Sequence, residues 1–239
     1  MKEKKFVAII PARFGSEEVK QKNIVKIGGY PLISYTIQAA KASKFISKVY
    51  VTTDGKNIAK ISKLYGANVI IRPKHLANKT INVDSAVVHA INMIEKITKK
   101  LVDNVVLLQP TSMLRNATDI DNAIKIFLKE KADSLFSCIN IHPCIWLKKK
   151  YLKPLNFNPY NRKNRQNFDK TFIENGAIYI TKKKIYKLKK NRLGGKISKY
   201  VMKNFSIFEL DTKEDLKLLS ILMRNSFKKI YKIITPKKI

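Results

Sequence analysis

The sequence predicts an α/β protein built on a mostly parallel sheet with helices on both faces. Short apolar runs of strand length alternate with helical patterns of ten residues or more. The first run, Phe6 to Ile10, is apolar at every position, as a strand buried on both faces requires. The polar residues with ligand-binding chemistry fall just after strand ends, where such sheets bind their ligands.

Each element has its own signal. Pro11 ends the first strand because it has no N–H for the ladder. Gly28-Gly29 marks a turn, and Pro31 opens a helical pattern, PLISYTIQAAKASKF. Val49 to Thr53 is a second strand, and Lys56 to Tyr65 a helix stopped by Gly66. Val69 to Ile71 is a third strand. Val83 to Lys96 is a helix with Ala86, Val87, Ala90, Met93 and Ile94 inward. Asn104 to Leu108 is a fourth strand. Thr118 to Lys129 is a helix, with Thr118 as its cap and Asp119 and Asp121 at its positive end. Ala132 to Ser137 is a fifth strand. Residues 140–175, rich in Pro, aromatic and basic residues, break the rhythm as an irregular subdomain whose apolar residues need somewhere to pack. Ala177 to Thr181 and Phe205 to Leu210 are strands, and Thr212 to Met223 is a helix before a basic tail.

The 239 residues can form one domain, and no apolar run approaches a membrane span. The short N-terminal apolar run leads into Pro-Ala-Arg-Phe-Gly rather than a cleavage site, so a cytoplasmic location is expected. Cys138 and Cys144 make neither a disulfide framework nor a metal quartet. There are 49 Lys plus Arg against 17 Asp plus Glu, a net charge of +32. That charge suits a polyanion partner. Yet the excess is mostly Lys spread along the chain, beside abundant Ile and Asn, and no nucleic-acid motif accompanies it. Compositional drift, with an anionic substrate gaining some attraction, is the preferred account.

The loop after the first strand carries Arg13, Gly15, Ser16, Lys20, Lys22 and Asn23. A glycine that admits close approach, with amides and cations, suits phosphates. Gln109 to Arg115 (QPTSMLR) follows the fourth strand; its Gln, Thr and Ser offer neutral hydrogen bonds to a sugar or base, and Arg115 adds charge. Glu209 and Asp211, at i and i+2 on an extended segment, face one way. Oxygen-only ligands suit Mg²⁺, which keeps waters and phosphate oxygens besides. The competing role for Asp211 is to cap the next helix. No nucleophile elbow, Walker-type loop or Gly-x-Gly-x-x-Gly is present.

Four stretches, in order over residues 6–224, resemble the acylneuraminate cytidylyltransferase family: AIIPAR with Gly15-Ser16 and Lys22-Asn23; LLQPTSMLR; Arg165-Gln166 followed by ENGAIY; and Glu209-Leu210-Asp211. Arg72-Pro73 before Leu76-Ala77 is similar too. The resemblance implies a Rossmann-like fold of the nucleotide-diphospho-sugar transferase type. It implies that CTP activates a nonulosonic (sialic-type) acid, giving a CMP-sugar and pyrophosphate with Mg²⁺ as cofactor. Arg13 and Lys22 would be catalytic. Ala12, Arg13, Gly15, Ser16, Lys22, Asn23 and Arg72 would hold the nucleotide. Gln109, Thr111, Ser112, Arg165, Gln166 and Asn175 would hold the sugar, and Asp211 and Glu209 the metal. A homodimer, with residues 140–175 at the contact, and no membrane or specific nucleic-acid partner are expected. The chain has Glu17-Glu18 where the family carries Lys-Gly, Gly55 for Asp, Lys79 for Asp and Asn167 for an acidic residue. The alternatives are a catalytically weakened nucleotide-binding homologue and a basic nucleic-acid-binding protein.

Overall fold

A computed structural model describes residues 6–224 except Lys79 and the side chains of Arg165 and Arg224. In chain order the elements are β1 (Phe6–Pro11), β2 (Lys26–Ile27), β3 (Tyr30–Pro31), α1 (Leu32–Lys41), β4 (Ile46–Thr53), α2 (Lys56–Leu64), β5 (Asn68–Ile71), α3 (Val83–Thr98), β6 (Asn104–Leu107), α4 (Ala117–Lys129) and β7 (Ser134–Ile141). Then come β8 (Trp146–Lys148), β9 (Leu152–Pro154), β10 (Thr171–Lys182), α5 (Lys183–Lys189), β11 (Ile197–Val201) and α6 (Lys213–Arg224). The basic tail beyond residue 224 lies outside the described residues.

Seven strands form one sheet in the order β11-β7-β10-β6-β1-β4-β5. All neighbours run parallel except β10, which is antiparallel to both β6 and β7. The mostly parallel sheet is as expected. β1 lies near its middle, and its unbroken apolar run is buried throughout because helices cover both faces. Ala8 and Ile10 pack with α1, α2 and α4 through Ile33, Ile37, Ile58, Ile120, Ile124 and Phe127. Val7 and Ile9 pack with α3 and α5 through Val87, Ala90, Ile91, Ile94 and Tyr186. A third cluster joins Ile27, Leu32, Tyr35, Met113, Leu114, Leu210 and α6.

Three expectations change. Residues 205–210 are not a strand: Asn204–Ile207 is a 3-10 turn, and the extended residues after it join no ladder. Phe205 and Leu210 are apolar because they meet the third cluster. The cap of α4 is Asn116, not Thr118: its side chain accepts from the Asp119 amide, and Asp119 accepts from the Asn116 amide, a reciprocal box. The apolar residues of the irregular span do not all find a core. Trp146 meets Phe157 edge to face, but Tyr151, Leu152, Leu155 and Tyr160 are exposed around the β8–β9 hairpin.

Candidate active site

The loops after β1, β4, β5 and β6 meet at the carboxyl edge of the sheet, around a cleft of about 220 Å³. Arg13, Lys22, Asn23, Arg72, Gln109 and Thr111 all line it, with Pro11 as its floor and Leu76, Asn78, Ile81 and Val83 as its outer side. One side is a cationic wall. Asn23 is buried, and its Nδ2 donates to the Arg13 carbonyl at 2.8 Å, fixing the turn of the β1 loop. Asp54, at the end of β4, accepts from the Phe14 amide at 2.9 Å and holds that loop from the other side. Ser16 spends its hydroxyl on the Val19 carbonyl at 2.6 Å. Ala12 is fully buried, and its amide donates to Thr52 in the sheet. Gly15 is exposed, with no atom near the place a Cβ would take, so no packing within the protein demands a glycine there. Arg72 is 5% exposed, and its Nε has no partner. Burial pushes its pKa down, Asp54 pulls it up and Arg13 pushes it down again. A buried guanidinium nitrogen with nothing to donate to is costly until an acceptor arrives.

A second hollow, lined by Glu174, Asn175, Glu209 and Asp211, has a carboxylate wall, and the order of its parts follows from one bulge. On β10, Glu174 pairs with Cys138 and Tyr179 with Phe136, so residues 175–178 bulge away from β7. Ser137 fills the gap: its hydroxyl donates to Asn175 Oδ1 at 2.6 Å and accepts from the Ile178 amide at 2.8 Å. Gly176 turns the chain at φ +65°. A Cβ there would lie 2.1 Å from Glu209 Oε1 and 2.6 Å from Gln109 Oε1, so a glycine hydrogen is all that fits beneath these two side chains. Ser112 donates to Glu209 Oε1. Leu210 points into the core while its amide donates to the Thr111 carbonyl at 3.1 Å, which turns Glu209 and Asp211 the other way. The i, i+2 alternation holds although the segment is no strand. Lys22, on the cleft lining, links the two hollows: its Nζ meets Asp211 Oδ1 at 2.8 Å.

Some expected roles move. Arg115 adds no charge to the cleft: it is 2% exposed and donates to the carbonyls of Ser112 and Gln109 and to Thr36 Oγ1, bracing the 109–115 loop. Ser112 and Asn175 are buried and turned into the protein rather than toward a sugar; Asn175 Nδ2 donates to Ser206 Oγ at 2.7 Å. Gln166 is exposed on the 3-10 turn Arg165–Asn167 and does not line the cleft. The Arg165 side chain lies outside the described residues. Asp211 is not the cap of α6. Thr212 Oγ1 accepts from the Asp215 amide at 3.2 Å, and Asp215 Oδ2 accepts from the Asp211 and Thr212 amides. That leaves the Asp211 carboxylate to Lys22. Glu17, Glu18 and Lys20 are exposed, and none lines the cleft.

Glu209 and Asp211 fit a hard cation. Burial raises the pKa of Glu209, the Ser112 hydroxyl lowers it, and the charge of Asp211 raises it again; a bound cation relieves both penalties. Among the described residues no group of three or more acidic, His or Cys side chains is placed to hold a metal. Two carboxylates and no cage suit Mg²⁺, which takes its other ligands from water and phosphate.

Fold and cleft together define a Rossmann-like α/β protein with a cation-lined cleft at the carboxyl edge of its sheet. The family model described as Cytidylyltransferase matches residues 7–234, and the chain belongs to that family. It is 32% identical to an N-acylneuraminate cytidylyltransferase of Escherichia coli O18:K1:H7 (strain RS218 / NMEC), over 95% of this chain and 54% of that protein. It is 27% identical to a pseudaminic acid cytidylyltransferase of Campylobacter jejuni subsp. jejuni serotype O:23/36 (strain 81-176), over 92% of this chain and 97% of that protein. The chain spans about half the length of the first curated relatives it matches. In structure it is similar to a CMP:2-keto-3-deoxy-manno-octonic acid synthetase complexed with CTP, with TM-score 0.69 and 17% identity over 92% of this chain and 98% of that one. No helix among the described residues is long and apolar enough to cross a membrane.

Proposed function

We propose that this protein transfers a cytidylyl group from CTP to a nonulosonic acid. The observation that carries the reading is the convergence of Arg13, Lys22, Asn23, Arg72, Gln109 and Thr111 on one cleft, facing Glu209 and Asp211. The 2-hydroxyl oxygen of the acid forms a bond to the α-phosphorus, the α–β bridging bond breaks, pyrophosphate leaves and the hydroxyl proton passes to water. Such chemistry needs positioning and charge stabilisation more than a covalent helper. Arg13 and Lys22 neutralise the triphosphate. Arg72 supplies its free Nε to the nucleotide, and Asn23 fixes the loop that carries Arg13. Gln109 and Thr111 orient the acid, and Arg165 is assigned to its carboxylate. Glu209 and Asp211 would hold Mg²⁺, which when bound withdraws charge from phosphate oxygens. Lys22 then exchanges Asp211 for phosphate.

The named relatives support this reading: they act on acylneuraminic and pseudaminic acids. The exposed apolar residues of the β8–β9 hairpin support a homodimer through residues 140–175, and a cytoplasmic location is part of the same proposal. Glu17 stands outside the cleft lining, which favours an active enzyme over a weakened descendant. The test is pyrophosphate release from CTP and Mg²⁺ with a panel of neuraminic, legionaminic and pseudaminic acids. One acid is expected to turn over; CTP binding without any turnover would refute the transfer.

A further inference from the structure

Arg192 lies in the loop between α5 and β11, outside every stretch that resembles the family. Its side chain is only 17% exposed. The Nε donates to both oxygens of Asp84, at 3.0 and 3.3 Å, and a terminal nitrogen donates to Asn82 Oδ1 at 3.4 Å. Asn82 caps α3, and its neighbours Ile81 and Val83 line the outer side of the nucleotide cleft. The Arg192 Cζ lies over the ring of Tyr179, 5.0 Å from its centre. Tyr179 sits on β10 just past the bulge, and its hydroxyl donates to Glu174 Oε2 at 2.8 Å. Glu174 borders a second hollow with Glu209 and Asp211. The Arg192 backbone is itself fixed, since Thr181 Oγ1 of β10 donates to its carbonyl at 2.5 Å.

One side chain therefore reaches toward both hollows, through Asn82 and Asp84 on one side and Tyr179 on the other. We propose that Arg192 is a positioning residue that sets the spacing between the nucleotide side, through Asn82 and Asp84, and the acceptor side, through Tyr179 and Glu174; this rests on the cytidylyl-transfer reading above. The planar fork is what allows it. Its Nε and a terminal nitrogen bond to the α3 terminus while its Cζ lies over an aromatic ring, a combination that a lysine ammonium cannot make.

Arg192→Ala would strand the Asp84 carboxylate, buried and unpaired, so Arg192→Lys, which keeps the charge, is the test variant. Tyr179→Phe removes only the hydroxyl that reaches Glu174. CTP affinity is measured by calorimetry, and kcat and KM by pyrophosphate release. Arg192→Lys is expected to weaken CTP binding and raise the KM for the acid, each by about tenfold, as small displacements of bound reactants do. Tyr179→Phe is expected to raise the KM for the acid and leave CTP binding unchanged. A lysine variant altered only in melting temperature, or a Tyr179→Phe that weakens CTP equally, would overturn the proposal. If the unsubstituted chain turns over no acid, the transfer reading fails, and the role of Arg192 then stands or falls on the CTP affinity of the lysine variant.

Discussion

On the cationic wall, Arg13, Lys22 and Arg72 face the cleft, and Arg72 keeps a buried nitrogen without a partner. On the carboxylate wall, Ser112, Arg115, Asn175 and Ser137 are sealed into a continuous hydrogen-bonded network. The first wall is left for a ligand to complete, while the second is bonded within the protein apart from the Arg115 Nε, which is buried and does not line the cleft. Substitutions on the first wall should therefore change catalysis with little change in stability, and substitutions on the second should do the reverse.

Lys22→Met should lower turnover by about a hundredfold or more, as removal of a charge-stabilising donor does, with the thermal midpoint nearly unchanged. A surviving rate would reduce Lys22 to a tether for Asp211. Asp211→Asn should cost about tenfold to a hundredfold and shift the Mg²⁺ titration to higher concentration, the scale seen when a metal site loses support. The same variant frees Lys22, so metal-free CTP should bind it more tightly; calorimetry reads both effects. Ser112→Ala should instead lower stability by about 1–3 kcal/mol in urea unfolding, because Glu209 loses its donor in a largely buried place. Glu209 also gives the second wall a pH signature. Burial first, and Asp211 further, raise its folded pKa above its unfolded value. Its contribution to stability is thus present below the ordinary glutamate range and lost as pH rises through the raised value. Glu209→Gln should flatten that slope in metal-free melting curves. Glu17→Lys, on an exposed residue outside the cleft lining, should change turnover by less than about twofold at physiological salt.

Much of the sheet was legible because its strands are buried on both faces and read as unbroken apolar runs, as in Phe6–Ile10 and Asn104–Leu108. The strand-end clustering of Arg13, Arg72 and Gln109 was legible for the same topological reason. The direction of β10 was not, since AIYIT reads the same either way. β11 was hidden by its exposure: along ISKYV only Ser198 is buried, which leaves no apolar alternation to detect. The segment from Phe205 to Leu210 has the composition of a strand, yet its apolar residues serve a cluster away from the sheet. The inward turn of Ser112 and Asn175 could not be read locally, because their partners lie far off in the chain. Lys22 and Asp211 are 189 positions apart. Arg192 carried no signal at all among so many cations.

The antiparallel course of β10 also bears on how the molecule comes together. β6 and β7 are consecutive strands of the main sheet, yet they never pair; β10 lies between them. Until β10 is made, the chain holds a four-stranded sheet, β6-β1-β4-β5, and a lone β7, and the β6 edge stands raw and open to foreign strands. The same strand also brings Gly176 beneath Gln109 and Glu209. One strand thus ties β7 and β11 to the rest of the sheet and reaches the site, and a chain halted before it would be both inert and adhesive.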